Sequence, residues 1–228
     1  MSKFKIADTF SPISFCGNEI LSIFAQNISI CAITMKLTIP KTRQLLVDVA
    51  RQLFARMGVR NTTMNDIANT SKRGRRTLYT YFRSKEEIYQ AVVQEELDNI
   101  RAQLELVLKS DLSPEEKLIT FIYTRLDAIK EVVVRNGSLR ADFFRDILRV
   151  QRERREFDEL DRQMIVQILQ DGIEKKIFSI PNIQITATIL HYAFKGLEVP
   201  YIRDVMGVER EMRIENIRNM LFNGIKIK

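Results

Sequence analysis

Residues 61–82 read NTTMNDIANTSKRGRRTLYTYF, and their spacing predicts two short helices joined by a tight turn. Thr63, with Asp66 three positions on, has the form of an N-cap and its reciprocal partner. Ile67 and Ala68 are then the inward residues of a helix of about two turns. Ser71-Lys72-Arg73-Gly74 reads as the turn. A second short helix follows from Arg75 to Tyr81, with Leu78 and Phe82 four apart on one side. Two short helices joined in this way form a helix-turn-helix.

The flanking sequence supplies the elements such a motif packs against. From Lys41 to Met57 the apolar residues Leu45, Leu46, Val49, Ala50, Leu53 and Phe54 recur at helical spacing, and Gly58 stands where a left-handed C-terminal cap favours glycine. After the motif, Ser84 caps a further helix with Glu86 and Glu87 in its first turn, running to about Leu108. Ser113-Pro114-Glu115-Glu116 starts the next, by the pattern of N-cap, proline and glutamate. It stops near Asn136-Gly137. Further helices are expected at 139–149, across Phe157, Leu160, Met164 and Ile168 to Asp171-Gly172, at 181–199 between Pro181 and Pro200, and at 209–223. In the 181–199 helix Gln184, Thr188, His191, Lys195 and Glu198 form one narrow polar stripe, which places His191 on a surface or an interface. Most of the remaining circumference is apolar, so this helix must be covered on more than one side. That excess predicts a homodimer.

The expected fold class is therefore all-α. A three-helix helix-turn-helix module occupies 35–90, its fourth helix continuing to about 108, and a multi-helix body occupies 110–228. Gly 8 and Pro 5 among 228 residues suit such a chain and argue against a many-stranded sandwich. Residues 1–34 differ. ILSIFAQNISICAIT (20–34) is apolar but broken by Ser22, Gln26, Asn27 and Ser29, too short and polar to span a bilayer and without the pattern of a signal peptide. Two readings stand: an upstream extension or disordered arm preceding a start at Met35, or an N-terminal arm that packs on the body.

Charge divides the chain further. From Lys36 to Lys85 there are 12 Lys and Arg against Asp48 and Asp66, a balance of +10; from Glu86 to Lys228 the balance is −3. A basic module of some fifty residues is the electrostatic footprint of a phosphate-backbone binder, or else a solubilising surface. Two cysteines and one histidine exclude a multi-cysteine zinc site and a disulfide framework. No nucleophile–base set, glycine-rich phosphate loop or HExxH is present, so neither an enzyme nor a cofactor is expected.

TTMNDIA (62–68), TLYTYF (77–82) and SKEEI (84–88), in this order and spacing, resemble the DNA-binding domain of the tetracycline-repressor (TetR) family. The resemblance covers roughly 41–100; beyond it only the helical architecture is similar. It departs in the turn, where the family has Ala-Gly-Val-Ser, a variable residue and glycine. Lys72 replaces the first glycine and must adopt the tight-turn conformation itself, unless the turn adjusts and Gly74 relieves it. Arg73 replaces an apolar residue, and Arg76 replaces the last glycine.

The resemblance implies a cytoplasmic, homodimeric transcriptional regulator, most often a repressor, with no membrane association. It binds double-stranded DNA at an inverted-repeat operator and is released by a small, mostly apolar effector. The alternative is a structural or division-associated DNA-binding protein of the same fold without such a ligand. On this reading Arg75, Arg76 and Thr77 reach base edges, since the early residues of a recognition helix do so. Tyr79, Tyr81, Thr63 and Lys85 contact phosphates. For Arg75 and Arg76 the alternative is a solvated face, for the tyrosines a place in the core. Phe121, Phe144, Met164 and Phe194 are candidate walls of the effector site, or ordinary core. Arg149, Arg152, Arg154 and Arg155 read as a solvated face or an anion site.

Overall fold

A computed structural model describes residues 41–135, 151–204, 207 and 209–225. Among them are eight helices: α1 Lys41–Met57, α2 Met64–Thr70, α3 Arg75–Tyr81, α4 Lys85–Leu108, α5 Pro114–Arg135, α6 Gln151–Glu174, α7 Ile183–Ile202 and α8 Arg210–Ile225. The expected extension at 1–34, the helix at 139–149 with Phe144, and Arg149 lie outside the described residues. So do the side chains of Arg152 and Arg154; Arg155 is exposed.

The apolar stripe of α1 closes a small core with Ile67 of α2, Leu78 of α3 and the first half of α4. Phe54 meets the Tyr89 ring edge-on at 5.9 Å. A second core begins at Ile100 and Leu104 of α4 and takes in the buried faces of α5, α6 and α7. One unbroken helix therefore belongs to both cores, and Leu97 packs against each. Burying each large apolar side chain stabilises by about 1.5–3 kcal/mol, so α4 is anchored at both ends.

Gln184 of the α7 polar stripe is exposed, but His191 and Glu198 face inward, against the expectation. His191 is buried, with Nδ1 2.6 Å from Asp161 of α6. Glu198 is buried against Arg125 Nη2 of α5 at 2.6 Å, and Arg125 Nε donates to Asp161 at 3.1 Å. Lys195 reaches Asp158 at 2.5 Å. Burial alone would lower the Arg125 pKa; Asp161 and Glu198 overcome this and raise it. A guanidinium buried in an apolar bundle must be met by carboxylates, and the partners on α7 turn its polar side inward. Its apolar side is left on the outside: Ile185 is 59%, Ile189 62% and Tyr192 65% exposed.

Two helix ends also differ from expectation. α6 does not stop at Gly172; it runs to Glu174 and closes through Lys176 at φ 56°. Gly172 serves packing instead, because the Phe178 ring lies where its Cβ would be. Pro200 does not end α7. The helix starts after the Asn182 cap, whose side chain accepts from Ile185 N–H, and continues to Ile202. Proline removes one helical donor, but the last turn is held independently by Tyr201, whose hydroxyl donates to Asp127 and whose ring meets Tyr123 edge-on. No described helix is long and apolar enough to cross a membrane.

Gly172→Ala tests the packing. The added Cβ would fall 2.1 Å from Phe178 Cδ2, in a ring that is buried and stacked on Phe222. Overpacking of this kind costs about 1–3 kcal/mol, outweighing the helix-propensity gain of about 1 kcal/mol. Chemical denaturation should show a lowered midpoint; an unchanged or raised midpoint would show that the ring moves freely.

Candidate nucleic-acid interface

α2 begins with the expected reciprocal cap. Thr63 N–H donates to Asp66 Oδ2 at 2.8 Å, Asp66 N–H donates to Thr63 Oγ1 at 3.2 Å, and the Thr63 hydroxyl donates to Asp66 Oδ2 at 2.7 Å. The Thr63 hydroxyl, then its backbone N–H, hold the Asp66 carboxyl below the ordinary aspartate range. Thr63 is exposed, but its hydroxyl proton is committed to Asp66. A phosphate arriving there would compete with the cap.

At the other end, Ser71 N–H donates to Ile67 O and the Ser71 hydroxyl to Ala68 O. Lys72 takes φ 53°. Its N–H donates to Asn69 O at 3.1 Å, and Arg73 N–H donates to Ala68 O at 3.1 Å. These two bonds, with a left-handed residue between helix and exit, are a Schellman motif. Lysine therefore occupies the glycine position directly. Gly74 does not relieve it: at φ −61° it is the extended N-cap of α3.

α3 then projects its first residues outward. Arg75 and Arg76 are exposed, Thr77 is half-buried, and Leu78 is fully buried beneath them. Tyr79, four positions from Arg75 and hence on the same face, is also exposed. Tyr81 is half-buried and packs against the headpiece core, so only part of its ring is available. Lys85 opens α4, where Ser84 accepts from Glu87 N–H. Its ammonium donates to Arg60 O at 3.2 Å, tying the α1–α2 loop to the start of α4. The structure thus gathers Arg75, Arg76, Thr77 and Tyr79 on α3, with Thr63 and Lys85 at the starts of two neighbouring helices.

The sequence reading missed two supports of this arrangement. Lys72 and Arg73 are exposed beside Arg75 and extend its basic surface; the uninterrupted charge of the turn was the signal. Arg43 of α1 stacks over the Phe82 ring at 5.1 Å, closing the end of α3. Nothing local in the sequence pairs those two residues.

Of the four expected effector-site walls, Met164 lines an open groove of about 360 Å³ between α4 and α6, with Leu108, Leu160, Glu105, Lys109, Gln163 and Gln167. Phe121 and Phe194 do not line it; both are packed in the body core.

The family described as "Bacterial regulatory proteins, tetR family" matches residues 46–92, the span that carries this geometry. That segment is similar to the TetR family. A curated relative, the HTH-type transcriptional repressor KstR2 of Mycolicibacterium smegmatis, is 29% identical over 136 residues, 58% of this chain. The match covers 64% of that relative, less than two thirds of its length. Among solved structures, a transcriptional regulator from Cytophaga hutchinsonii is similar at TM-score 0.66 and 22% identity, over 81% of this chain and 98% of the other. The ketosteroid transcriptional regulator KstR2 of Mycobacterium tuberculosis is similar at TM-score 0.52 and 21% identity, over 84% and 98%. At such identities these two likenesses speak for the fold alone.

The Lys72 backbone carries its own test. A side chain in the left-handed region costs roughly 1–2 kcal/mol that glycine does not incur. Lys72→Gly should therefore raise the stability of the full chain by about 1 kcal/mol, read by thermal or chemical denaturation. A loss of stability would show that the lysine side chain makes compensating contacts.

Proposed function

We propose that the protein is a homodimeric transcriptional repressor that binds an inverted-repeat operator and is released by a small, mostly apolar effector. The observation that carries this reading is the outward projection of Arg75 and Arg76 from the first turn of α3. They rise from a headpiece whose core fixes the helix below them. Arginine there is suited to the O6 and N7 of guanine in a major groove. Thr77 adds a base or phosphate contact. Tyr79, Tyr81, Thr63 and Lys85 supply phosphate contacts that set register without reading sequence.

The exposed apolar face of α7, with Met212 and Met220 exposed on α8, supports association of two copies. A two-fold dimer presents two α3 helices to half-sites about one helical turn, ~34 Å, apart. For the effector, the groove beside Met164 offers Leu108 and Leu160 as apolar walls, and the Lys109 ammonium with two glutamine amides as a polar end. The name of the ketosteroid regulator among the structural neighbours agrees with an apolar ligand class. Release requires a coupling free energy of about 1–3 kcal/mol between the two sites.

Sedimentation at micromolar concentration should return a dimer, and Tyr192→Glu on the outer face of α7 should shift it towards monomer. A wild-type monomer that still protects an inverted repeat would overturn the dimeric reading.

Arg75→Ala, Arg76→Ala and Lys85→Ala separate base readers from phosphate contacts on operator DNA recovered by genome-wide mapping. At least one arginine variant should lose about 1–3 kcal/mol on the cognate site, and much less on a site changed at the contacted base pair. Lys85→Ala should weaken both sites alike and reduce the salt slope by about one per half-site. Equal losses for both arginines on every sequence would make them backbone contacts and move specificity to Thr77, the tyrosines or DNA shape.

A further inference from the structure

The two cores meet on α4 between Val93 and Ile100. Of the carboxylates on this stretch, Glu96 is almost fully buried. It is met from both sides. Arg51 of α1, in the headpiece, places Nε 3.1 Å from Glu96 Oε1. Arg135, the last residue of α5 in the body, donates from Nη2 to Glu96 Oε2 at 2.6 Å. Arg51 is also held by Asp48 of α1 at 2.8 Å and by Glu95 of α4 at 2.5 Å, and Gln44 donates to both of these carboxylates at 3.2 Å. Two arginines from different cores thus share one buried carboxylate carried by the helix common to both.

The two halves of this node are unequal. Arg51 has three carboxylate partners and is largely covered. Arg135 has Glu96 as its described ion-pair partner and is 55% exposed, so water and salt screen its half far more. A displacement at the end of α5 breaks the Arg135 half first and leaves the headpiece half intact.

We infer that Glu96 is the positioning residue that sets the angle of the DNA-binding headpiece against the body, with Arg135 as the detachable strut by which α5 acts on it. Apolar contacts at Leu97 keep the two cores together but are non-directional. The charge-assisted bond from Arg135 and the ion pair with Arg51 give the buried carboxylate a direction. The strut is a property of the free protein; only its consequence, control of half-site spacing, rests on the operator-binding reading above.

The test uses the full chain with Cys16→Ser and Cys31→Ser, and spin labels on Asn69→Cys in α2 and Gln170→Cys in α6. Both positions are exposed. Labelled protein is diluted with unlabelled protein, so that distances within one chain dominate. The distance distribution should be narrow in this background and about twofold broader with Glu96→Gln or Arg135→Gln, at unchanged helicity by circular dichroism. Arg101→Gln, which breaks the Arg101–Glu105 pair within the same helix, should leave the width unchanged. Unchanged widths in both seam variants, or equal broadening with Arg101→Gln, would overturn the inference.

A second arm uses operator DNA recovered by genome-wide mapping, and the same DNA with two base pairs inserted between half-sites. The unlabelled wild type should lose affinity about tenfold or more on insertion and Arg135→Gln less than about threefold, while both keep the penalty for a changed contact base pair. Equal spacing discrimination in the two proteins overturns the strut's role in DNA recognition. Broadening in the seam variants of a protein that binds no DNA would sustain the strut and overturn the operator reading instead.

Discussion

The guanidinium of Arg125 lies in the interior of the body, and the orientation of three helices follows from what it demands. A charge taken out of water must find opposite charge and hydrogen bonds. Arg125 finds Asp161 on α6 and Glu198 on α7, and Asp161 also takes His191. Removing a buried partner in such a cluster typically costs about 3–5 kcal/mol, because the remaining charge is left stranded. Replacing the whole set by apolar residues can be nearly neutral in stability. What the ions add is direction: an all-apolar α7 would pack almost as well at several rotations. With His191 and Glu198 bound inward, Ile185, Ile189 and Tyr192 have only one place to go, and that is the outer surface. Which face of α7 points outward is therefore dictated from inside the body.

The same logic recurs at the seam between headpiece and body. Apolar contacts hold α4 in both cores. Charged groups decide the angle at which these cores meet, through Arg51, Glu96 and Arg135. The difference is exposure. The Arg125 cluster is sealed and behaves as a fixed joint, whereas Arg135 is open to water and forms a joint that small forces can undo. A regulator of the proposed kind needs both, a rigid pairing surface and a compliant link to DNA.

Most of the headpiece was legible in the sequence because its determinants are local. Caps, a turn and i to i+4 apolar pairs are all set within a few residues, and the helices at 41–57, 64–70 and 75–81 fall where their caps and spacing place them. The basic residues of α3 were legible for the same reason, and they stand exposed in its first turn. The body was less legible, because its decisive contacts span long separations. His191 looked like a surface residue because a polar stripe on an apolar helix normally faces water. The missing information was Arg125, on the buried face that Ile122 and Ile129 define, and Asp161, on the stripe that Phe157 and Met164 define. A charge of each sign on two buried stripes is a legible anomaly, but its partner on α7 is set only by the tertiary fold. Gly172 and Pro200 misled for a related reason. Each reads as punctuation locally, and each is overridden by a ring or hydroxyl that packs on it or beyond it from elsewhere.

The turn between α2 and α3 shows where the chain accepts a local cost. Lysine at φ 53° is disfavoured relative to glycine, yet the Schellman bonds around it are complete. A well-formed motif around an unfavourable residue means that the tertiary contacts of Leu78 and Phe82 over-determine the backbone there. In exchange the side chain of Lys72 stands exposed beside Arg73, Arg75 and Arg76. Glycine would relax the backbone and remove a cation from the face that, in the proposed operator complex, approaches a polyanion. Since each phosphate contact releases counterions and strengthens binding, the strained lysine would, on the proposed reading, exchange headpiece stability for electrostatic attraction at the point where α3 enters the groove.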